Sequence, residues 1–200
     1  ILLSVDTPVS ACVELCQGLV ISGGGDLPPS FAGDASADEW RRHTPGPAES
    51  EQRIIWEREL LDGFAHAQRP VLGVCYGMQL MNLHFGGTLW TALHDRGSSD
   101  VDHGGQGTSR LHALRVAGDS RFLAGWSLAS DVSSSHGQGV HEVAPGFRAS
   151  AWSQDDLVEA IEHESLIGLE WHPETDASGA FVYRRFVEWC AAPADLRSDP

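Results

Sequence analysis

The stretch "RPVLGVCYGMQLMNLHFGGTL", Arg69 to Leu89, places a cysteine between an apolar run and a helix-like segment. Gly73 and Gly77 stand two positions before and two positions after Cys75. Small residues are needed where a strand turns abruptly into a helix, because larger side chains on the flanks would collide there. The spacing is that of a nucleophile elbow, with cysteine where hydrolases of another fold carry serine. It predicts that the turn aims the Cys75 sulfur outward.

The segment after Cys75 predicts a helix from Tyr76 to about Phe85, with Gly86 and Gly87 as its C-cap. The positive end of such a helix favours the thiolate, which is the reactive form of cysteine. A buried thiol in a core strand is the competing interpretation of Cys75, and the two glycines alone do not decide between them.

Three short apolar runs, two before the elbow stretch and one at its start, predict a sheet. The runs "ILLSV" (1–5), "GLVIS" (18–22) and "PVLGV" (70–74) alternate with helix-like segments, which is typical of parallel strands covered on both faces. Before the third run, Ile54, Leu61, Phe64 and Ala65 recur at helical spacing and predict an amphipathic cover helix.

The second half of the chain changes to closely spaced strands. They are "LHALRV" (111–116), "FRASAWS" (147–153), "LVEAIEH" (157–163) and "LIGLEWH" (166–172), followed by a helix over about 177–191. Residues 94–109 are rich in glycine and serine and predict a mobile surface loop. No internal repeat or linker divides the chain, so we expect one domain over 1–191 and a C-terminal tail over 192–200.

Composition narrows the function classes. The net charge of −15 argues against nucleic acid as a partner, because an acidic surface repels polyanions. No apolar run approaches the roughly 20 residues of a membrane span, and "ILLSV" is too short for a signal peptide, so we expect a cytosolic protein without a membrane partner. The four cysteines form no CxxC pair, and this spacing predicts that they are reduced thiols. Cys12 and Cys16 share a helix face, but no cysteine or histidine pair lies nearby in sequence to complete a metal site.

A second motif, "GLEWHPET", supplies a base for the cysteine. His172 follows a predicted strand, and Glu174 points to the same side if the backbone stays extended. A cysteine nucleophile needs a base, and that base works better when a third group fixes its tautomer. A surface histidine with an unrelated acid is the alternative interpretation.

Together, the Arg69–Leu89 stretch and "GLEWHPE" closely resemble the class I glutamine amidotransferase superfamily. Within it, "ISGGGDLPPSFAGD", "GGTLWTALHD", "SSSHGQGV" and "LVEAIE" are most similar to the gamma-glutamyl-gamma-aminobutyrate hydrolase family. The resemblance implies a flavodoxin-like three-layer α/β fold with a mostly parallel central sheet and a small antiparallel extension. Proteins of this kind begin with a strand and helix ahead of the segment corresponding to "ILLSV", and this unit is missing from the sequence.

The resemblance implies a Cys-His-Glu triad. Cys75 would be the nucleophile, His172 the general base and then acid, and Glu174 its orienting group. The backbone N–H groups of Tyr76 and Gly24 would form the oxyanion hole, although Gly24 can also be read as an ordinary strand-to-loop turn. The substrate would be a gamma-glutamyl amide or glutamine, cleaved through a thioester without a metal or organic cofactor.

The resemblance also implies residues that hold the glutamyl group: Gln79, Ser135, His136, Gly137 and Gln138. His136 can equally be a satisfied loop histidine. The sequence departs from the hydrolase family at two places near the predicted site. Tyr76 stands where that family usually has arginine, as is more usual in glutamine-dependent synthases, and His136-Gly137-Gln138 replaces a His-His-Gln run. A glutaminase subunit that delivers ammonia to a partner synthase and an inactive binding module therefore stay as alternatives, and a homodimer is left open.

Overall fold

The structure is a computed structural model, and it describes residues 1–32, 49–97, 99–105, 108–127 and 131–193. In chain order, its helices and strands are α1 (Val9–Leu15), β1 (Leu19–Ile21), α2 (Pro29–Ala32), α3 (Glu51–His66), β2 (Val71–Val74), α4 (Tyr76–His84), β3 (Leu89–Trp90), β4 (Arg110–His112), β5 (Arg115–Val116), β6 (Val132–Ser134), β7 (Gly139–Val140), β8 (Arg148–Trp152), β9 (Val158–His163), β10 (Leu166–Leu169) and α5 (Gly179–Ala191). Two short 3₁₀ helices cover Leu93–Arg96 and Pro173–Thr175.

One mixed sheet organises the molecule, with the order β1-β2-β10-β9-β7-β3. The strands β1, β2 and β10 are mutually parallel, whereas β10, β9, β7 and β3 are joined by antiparallel pairs. The strand β8 pairs with both β9 and β5, and β4 pairs with β6 in a separate two-stranded sheet. The three parallel strands lie at one end of the main sheet, and their carboxyl ends carry the loops with the glycines, Cys75 and His172.

The strand β2 lies at the centre of the parallel group and is buried along its whole length. Its side chains alternate between two apolar cores, as expected for a strand covered on both faces. Val71 packs in the core on the α3 side, with Ile54 and Phe64. Leu72 and Val74 pack in the core on the α5 side. This three-layer arrangement confirms the predicted α/β fold class.

The balance of the sheet differs from the sequence-based expectation. The antiparallel part contains more strand pairs than the parallel part, so it is not a small extension. The run "ILLSV" is not a strand: Ile1 and Leu2 are 95% and 99% exposed, and the first regular element is α1. Apolar composition indicated a strand there, but a strand also requires a neighbour that accepts its backbone hydrogen bonds. Among the described residues, β1 pairs with β2 alone.

The helices agree more closely with the sequence. The cover helix α3 begins at the cap Ser50, whose hydroxyl accepts a hydrogen bond from the Arg53 N–H, and it buries Ile54, Leu61 and Phe64 completely. The nucleophile helix α4 ends before Gly86, whose φ of 93° is the left-handed conformation typical of a helix C-terminus.

The predicted mobile loop over 94–109 is partly anchored. Within it, His103 is only 7% exposed and bonds Asp155 through its ring, so this part of the loop is not a mobile surface segment. The predicted C-terminal tail over 192–200 lies largely outside the described residues. Among the helices that are described, none combines the length and hydrophobicity needed to cross a bilayer.

Candidate active site

Cys75 lies in the turn between β2 and α4, as the sequence predicts. Its φ of 51° and ψ of −110° are outside the regions that L-residues ordinarily occupy. The flanking glycines allow this turn to form. A Cβ on Gly73 would lie 2.5 Å from the Gly77 carbonyl oxygen, and a Cβ on Gly77 would collide with the Ile21 carbonyl. The close approach of strand, turn and helix therefore requires glycine at both positions.

The environment of Cys75 favours the thiol. Cys75 is 5% exposed, and burial raises the pKa of its thiol well above the usual value, with the carboxyl of Glu170 acting in the same direction. The backbone N–H of Tyr76 acts oppositely, which is the effect expected of a helix N-terminus. Burial outweighs that effect, so the expected stabilisation of a resting thiolate is not achieved.

His172 and Glu174 form a hydrogen-bonded pair. The distance between His172 Nδ1 and Glu174 Oε1 is 2.7 Å, and the histidine lowers the pKa of the carboxyl. The segment does not stay extended as we expected: Pro173–Thr175 is a 3₁₀ turn, because the Thr175 N–H and hydroxyl both donate to the His172 carbonyl. The His172 N–H donates to the Ser133 carbonyl at 2.7 Å, so β6 holds the histidine backbone.

A glycine borders both the predicted nucleophile, Cys75, and the predicted base, His172. A Cβ built on Gly23 would lie 3.0 Å from His172 Cε1 and 4.0 Å from Cys75 Cβ, so both side chains border the same small space. His172 Nε2 is buried and has no hydrogen-bond partner in the part of the chain that the structure describes, so it is not bonded to the Cys75 sulfur. The nitrogen that faces away from Glu174 is thus free to accept a proton.

The neighbouring Gly24, our predicted oxyanion donor, faces a different group of side chains. A Cβ there would meet Glu49, Arg53 and the ring of Tyr76. Arg53 Nη1 lies 2.7 Å from Glu49 Oε2, which also accepts a hydrogen bond from the Gly25 N–H. These charges from the start of α3 hold the glycine loop in place. Sequence reasoning missed this role, although charges four residues apart at a helix start were visible.

The predicted substrate residues divide into two groups. The side chain of Gln79 donates to Glu170 at 2.5 Å and to the Gln138 carbonyl at 3.2 Å, and the Gln138 amide bonds both backbone polar groups of Leu27. His136 is also buried and faces the protein interior. In contrast, Ser135 is half-buried and Gly137 is exposed. Contact with a glutamyl group stays a prediction for all five.

Glu170 is an additional buried acid that sequence analysis did not single out. It is fully buried beside Gln79, and burial raises the pKa of its carboxyl well above the usual range. A glutamate two positions before His172 in an alternating strand carried no separate signal, since the same position could equally face solvent.

Comparison with known proteins shows which family the chain belongs to. The profile of the Peptidase C26 family matches residues 1–174. A relative from Mycobacterium tuberculosis, whose name proposes a glutamine amidotransferase, is 29% identical over 198 residues, which are 97% of this chain and 62% of the relative. The chain therefore spans less than two thirds of that protein. A glutamine-hydrolysing GMP synthase subunit from Thermococcus kodakarensis is 29% identical over 178 residues, 87% of this chain and 76% of that protein.

The solved structure of a proposed GMP synthase subunit from Thermoplasma acidophilum superposes with a TM-score of 0.63 over 94% of this chain and 79% of its own, at 20% identity. This likeness supports the fold. The fold and the relatives define the class: a glutamine amidotransferase-like protein. The chain belongs to the Peptidase C26 family.

Proposed function

We propose that the protein hydrolyses gamma-glutamyl amides of small amines through a Cys75-His172-Glu174 triad. The observation that carries the proposal is the 2.7 Å pair between His172 and Glu174, with the His172 ring beside the space that Gly23 shares with Cys75. A cysteine at an elbow, a free imidazole nitrogen and an orienting carboxylate are the groups that acyl transfer requires.

The proposed reaction begins with proton transfer from the Cys75 thiol to His172 Nε2. The sulfur attacks the gamma-carbonyl carbon, a C–S bond forms, and the carbonyl electron pair becomes an oxyanion held by backbone N–H groups of Tyr76 and the glycine loop. The oxyanion collapses, the C–N bond breaks, and His172 returns its proton to the departing amine.

A water molecule then attacks the gamma-glutamyl thioester, again with His172 as the base. The C–S bond breaks, glutamate leaves, and the sulfur recovers its proton. Glu174 stabilises the imidazolium in both halves of the cycle and keeps its Nε2 directed at the reacting atoms. These steps use side chains, backbone and water alone.

The direct experiment supplies the purified protein with glutamine and a panel of gamma-glutamyl amides and measures the glutamate and amine released. Cys75→Ala is the matched control, and mass spectrometry of the quenched wild type should detect a gamma-glutamyl adduct on the tryptic peptide that contains Cys75. Release of both products that Cys75→Ala abolishes supports the proposal. No release from any amide would refute it.

A second candidate is a glutaminase subunit that delivers ammonia to a separate synthase. It is favoured by the similarity to a glutamine-hydrolysing GMP synthase subunit and by Tyr76 after the nucleophile. The same assay separates the two: low glutamine hydrolysis that rises when a synthase is added favours the subunit, whereas turnover of substituted amides by the protein alone favours the hydrolase. A Cys75 that forms no adduct in folded protein would favour the third candidate, a binding module.

A further inference from the structure

Four buried side chains outside the triad face one another in the antiparallel part of the fold. One nitrogen or carboxylate oxygen from each lies within 4.8 Å of all the others. The four residues are His103 before β4, His112 in β4, His136 after β6 and Glu159 in β9. Each is at most 7% exposed, so bulk water does not compensate for their polarity. We call this group the three-histidine cluster.

The distances within the three-histidine cluster fit a small coordination sphere. Glu159 Oε1 lies 3.5 Å from His103 Nδ1, 3.3 Å from His112 Nε2 and 3.9 Å from His136 Nε2. Neighbouring ligand atoms around a tetrahedral ion with bonds of about 2.0–2.1 Å are about 3.3–3.4 Å apart. The four ligand atoms lie within 4.8 Å of one another, so the glutamate distances need to change by at most a few tenths of an ångström, whereas the most widely separated pair would close by up to about 1.4 Å.

Hydrogen bonds on the far side of each ring define which nitrogen carries the proton. In every case the outer ring nitrogen faces an oxygen that can only accept, so that nitrogen must be the N–H donor. The three contacts are His103 Nε2 to Asp155 at 3.2 Å, His112 Nδ1 to the Ala113 carbonyl at 3.2 Å and His136 Nδ1 to the Gln138 carbonyl at 2.8 Å. In the neutral form of each imidazole, the inner nitrogen therefore carries the lone pair.

The inner atoms have no partner. Among the described residues, none forms a hydrogen bond with the following buried atoms: His103 Nδ1, His112 Nε2, His136 Nε2 and both oxygens of Glu159. Leaving a buried polar atom unpaired costs about 1–3 kcal/mol, and a buried carboxylate costs more. A single proton on one imidazole could serve one nitrogen and one oxygen, but two other imidazole lone pairs would remain. One cation at the centre satisfies all four side chains together.

We propose that His103, His112, His136 and Glu159 bind one divalent transition-metal ion, with zinc as the best match. Three imidazoles and a carboxylate are typical zinc ligands, and four protein ligands in a buried site leave no open coordination position. This arrangement is characteristic of a structural ion. The outer hydrogen bonds, above all Asp155 on His103, fix the ring orientations as partners of metal-bound histidines generally do.

The ion would connect segments that the strand ladders join only weakly. It would link the 135–138 loop to three other parts of the chain: the loop that precedes β4, β4 itself and the long strand β9. His136 lies in that loop, and its neighbour Gln138 bonds Gln79 on the nucleophile helix. The metal would therefore fix the position of a loop beside the candidate active site without taking part in the chemistry. Sequence analysis missed the cluster because its members are far apart in the chain and follow no ligand spacing.

The test uses tag-free protein stripped with a chelator, titrated with Zn²⁺ against a competing indicator and separately with Co²⁺. We expect one ion per chain, the visible absorption bands of tetrahedral Co²⁺, and a melting temperature that rises with added Zn²⁺. His112→Gln and Glu159→Gln should weaken zinc binding at least 100-fold. His66→Gln, at the exposed end of α3, is the matched histidine control, and it should bind as the wild type does.

Cys75→Ala should also bind one ion, which separates this proposal from the proposed catalytic function. If the cluster variants do not fold, the Co²⁺ spectrum and the zinc-dependent melting temperature of the wild type test whether the cluster binds an ion. Folded, stripped wild type that takes up no ion would overturn the proposal. One ion per chain that survives both His112→Gln and Glu159→Gln would overturn it as well, because the ion would then lie elsewhere.

Discussion

Alanine at Gly23 should damage catalysis while leaving the fold intact. The added methyl would lie 3.0 Å from His172 Cε1, which is closer than ordinary contact, but 3.7 Å from His172 Nδ1 and 4.0 Å from Cys75 Cβ, which are ordinary distances. The ring of His172 or the glycine loop must therefore shift by a few tenths of an ångström. The φ of Gly23 lies outside the left-handed region, so alanine adopts the backbone without strain.

The expected size of the effect follows from that shift. A catalytic group must be held within about 0.5 Å of its productive position, and a displacement of about 1 Å can cost about 100-fold in rate. We expect Gly23→Ala to lower kcat/KM by roughly 10-fold, which corresponds to about 1.4 kcal/mol of transition-state stabilisation. The free energy of unfolding should change by less than about 1 kcal/mol, because the clash is with the end of one partly exposed ring.

The assay compares glutamate release by wild type, Gly23→Ala and Gly118→Ala, with urea unfolding of each. Gly118 is the matched control, since a Cβ there meets nothing within 4 Å and its φ is also outside the left-handed region. Activity of Gly23→Ala within twofold of wild type would refute the reasoning that this glycine, His172 and Cys75 form the site. An equal loss in Gly118→Ala would also refute it.

Four further predictions concern the triad and its surroundings. Cys75→Ala should abolish glutamate release while the far-ultraviolet circular dichroism stays unchanged, and retained turnover would remove Cys75 from the mechanism. Cys75→Gly should be more stable to urea than Cys75→Ala by about 1 kcal/mol, because glycine relieves the positive φ at the elbow; equal or lower stability would mean that the turn is unstrained. Glu174→Gln should retain more activity than His172→Ala in the same assay, and the reverse order would require Glu174 to transfer the proton itself. Burial raises the pKa of Asp26 from 3.8 to about 6, so the folded state binds a proton more tightly than the unfolded state, and the stability that this group contributes is lost as pH rises from about 4 to about 6. Asp26→Asn should therefore be more stable to urea than the wild type at pH 7, by about 2–3 kcal/mol, and equally stable below about pH 4. Parallel curves of stability against pH for the two proteins would contradict this prediction.

The sequence predicted the elements whose signals are local. The helix α4 was predicted over Tyr76 to about Phe85 and ends at His84, and α3 forms where apolar residues recur at helical spacing. The elbow was equally predictable, because glycine is the only residue that fits at Gly73 and Gly77. The pair of His172 and Glu174 was predicted as well, although through an extended backbone that the structure replaces with a 3₁₀ turn.

Features that depend on distant contacts could not be predicted in the same way. The run "ILLSV" has the composition of a strand, but strand formation depends on a pairing partner that composition does not specify. The three-histidine cluster joins side chains from four segments through the register of β4, β6 and β9, which no local pattern encodes. The burial of His136 and Gln138 was missed for the same reason, since a glycine-rich polar stretch resembles a surface loop until its packing is known.

The state of the nucleophile links these observations. Because burial raises the pKa of the Cys75 thiol, the resting sulfur is a poor nucleophile. Glu174 bonds His172 Nδ1, and His172 Nε2 has no hydrogen-bond partner among the described residues. The imidazole is therefore already oriented as a base in the resting site. Proton transfer from sulfur to imidazole creates an ion pair that the buried site disfavours until a negative oxygen develops beside the Tyr76 N–H and the glycine loop. We infer that ionisation and attack are coupled, so the site stays unreactive until a carbonyl occupies the space that Gly23 leaves open.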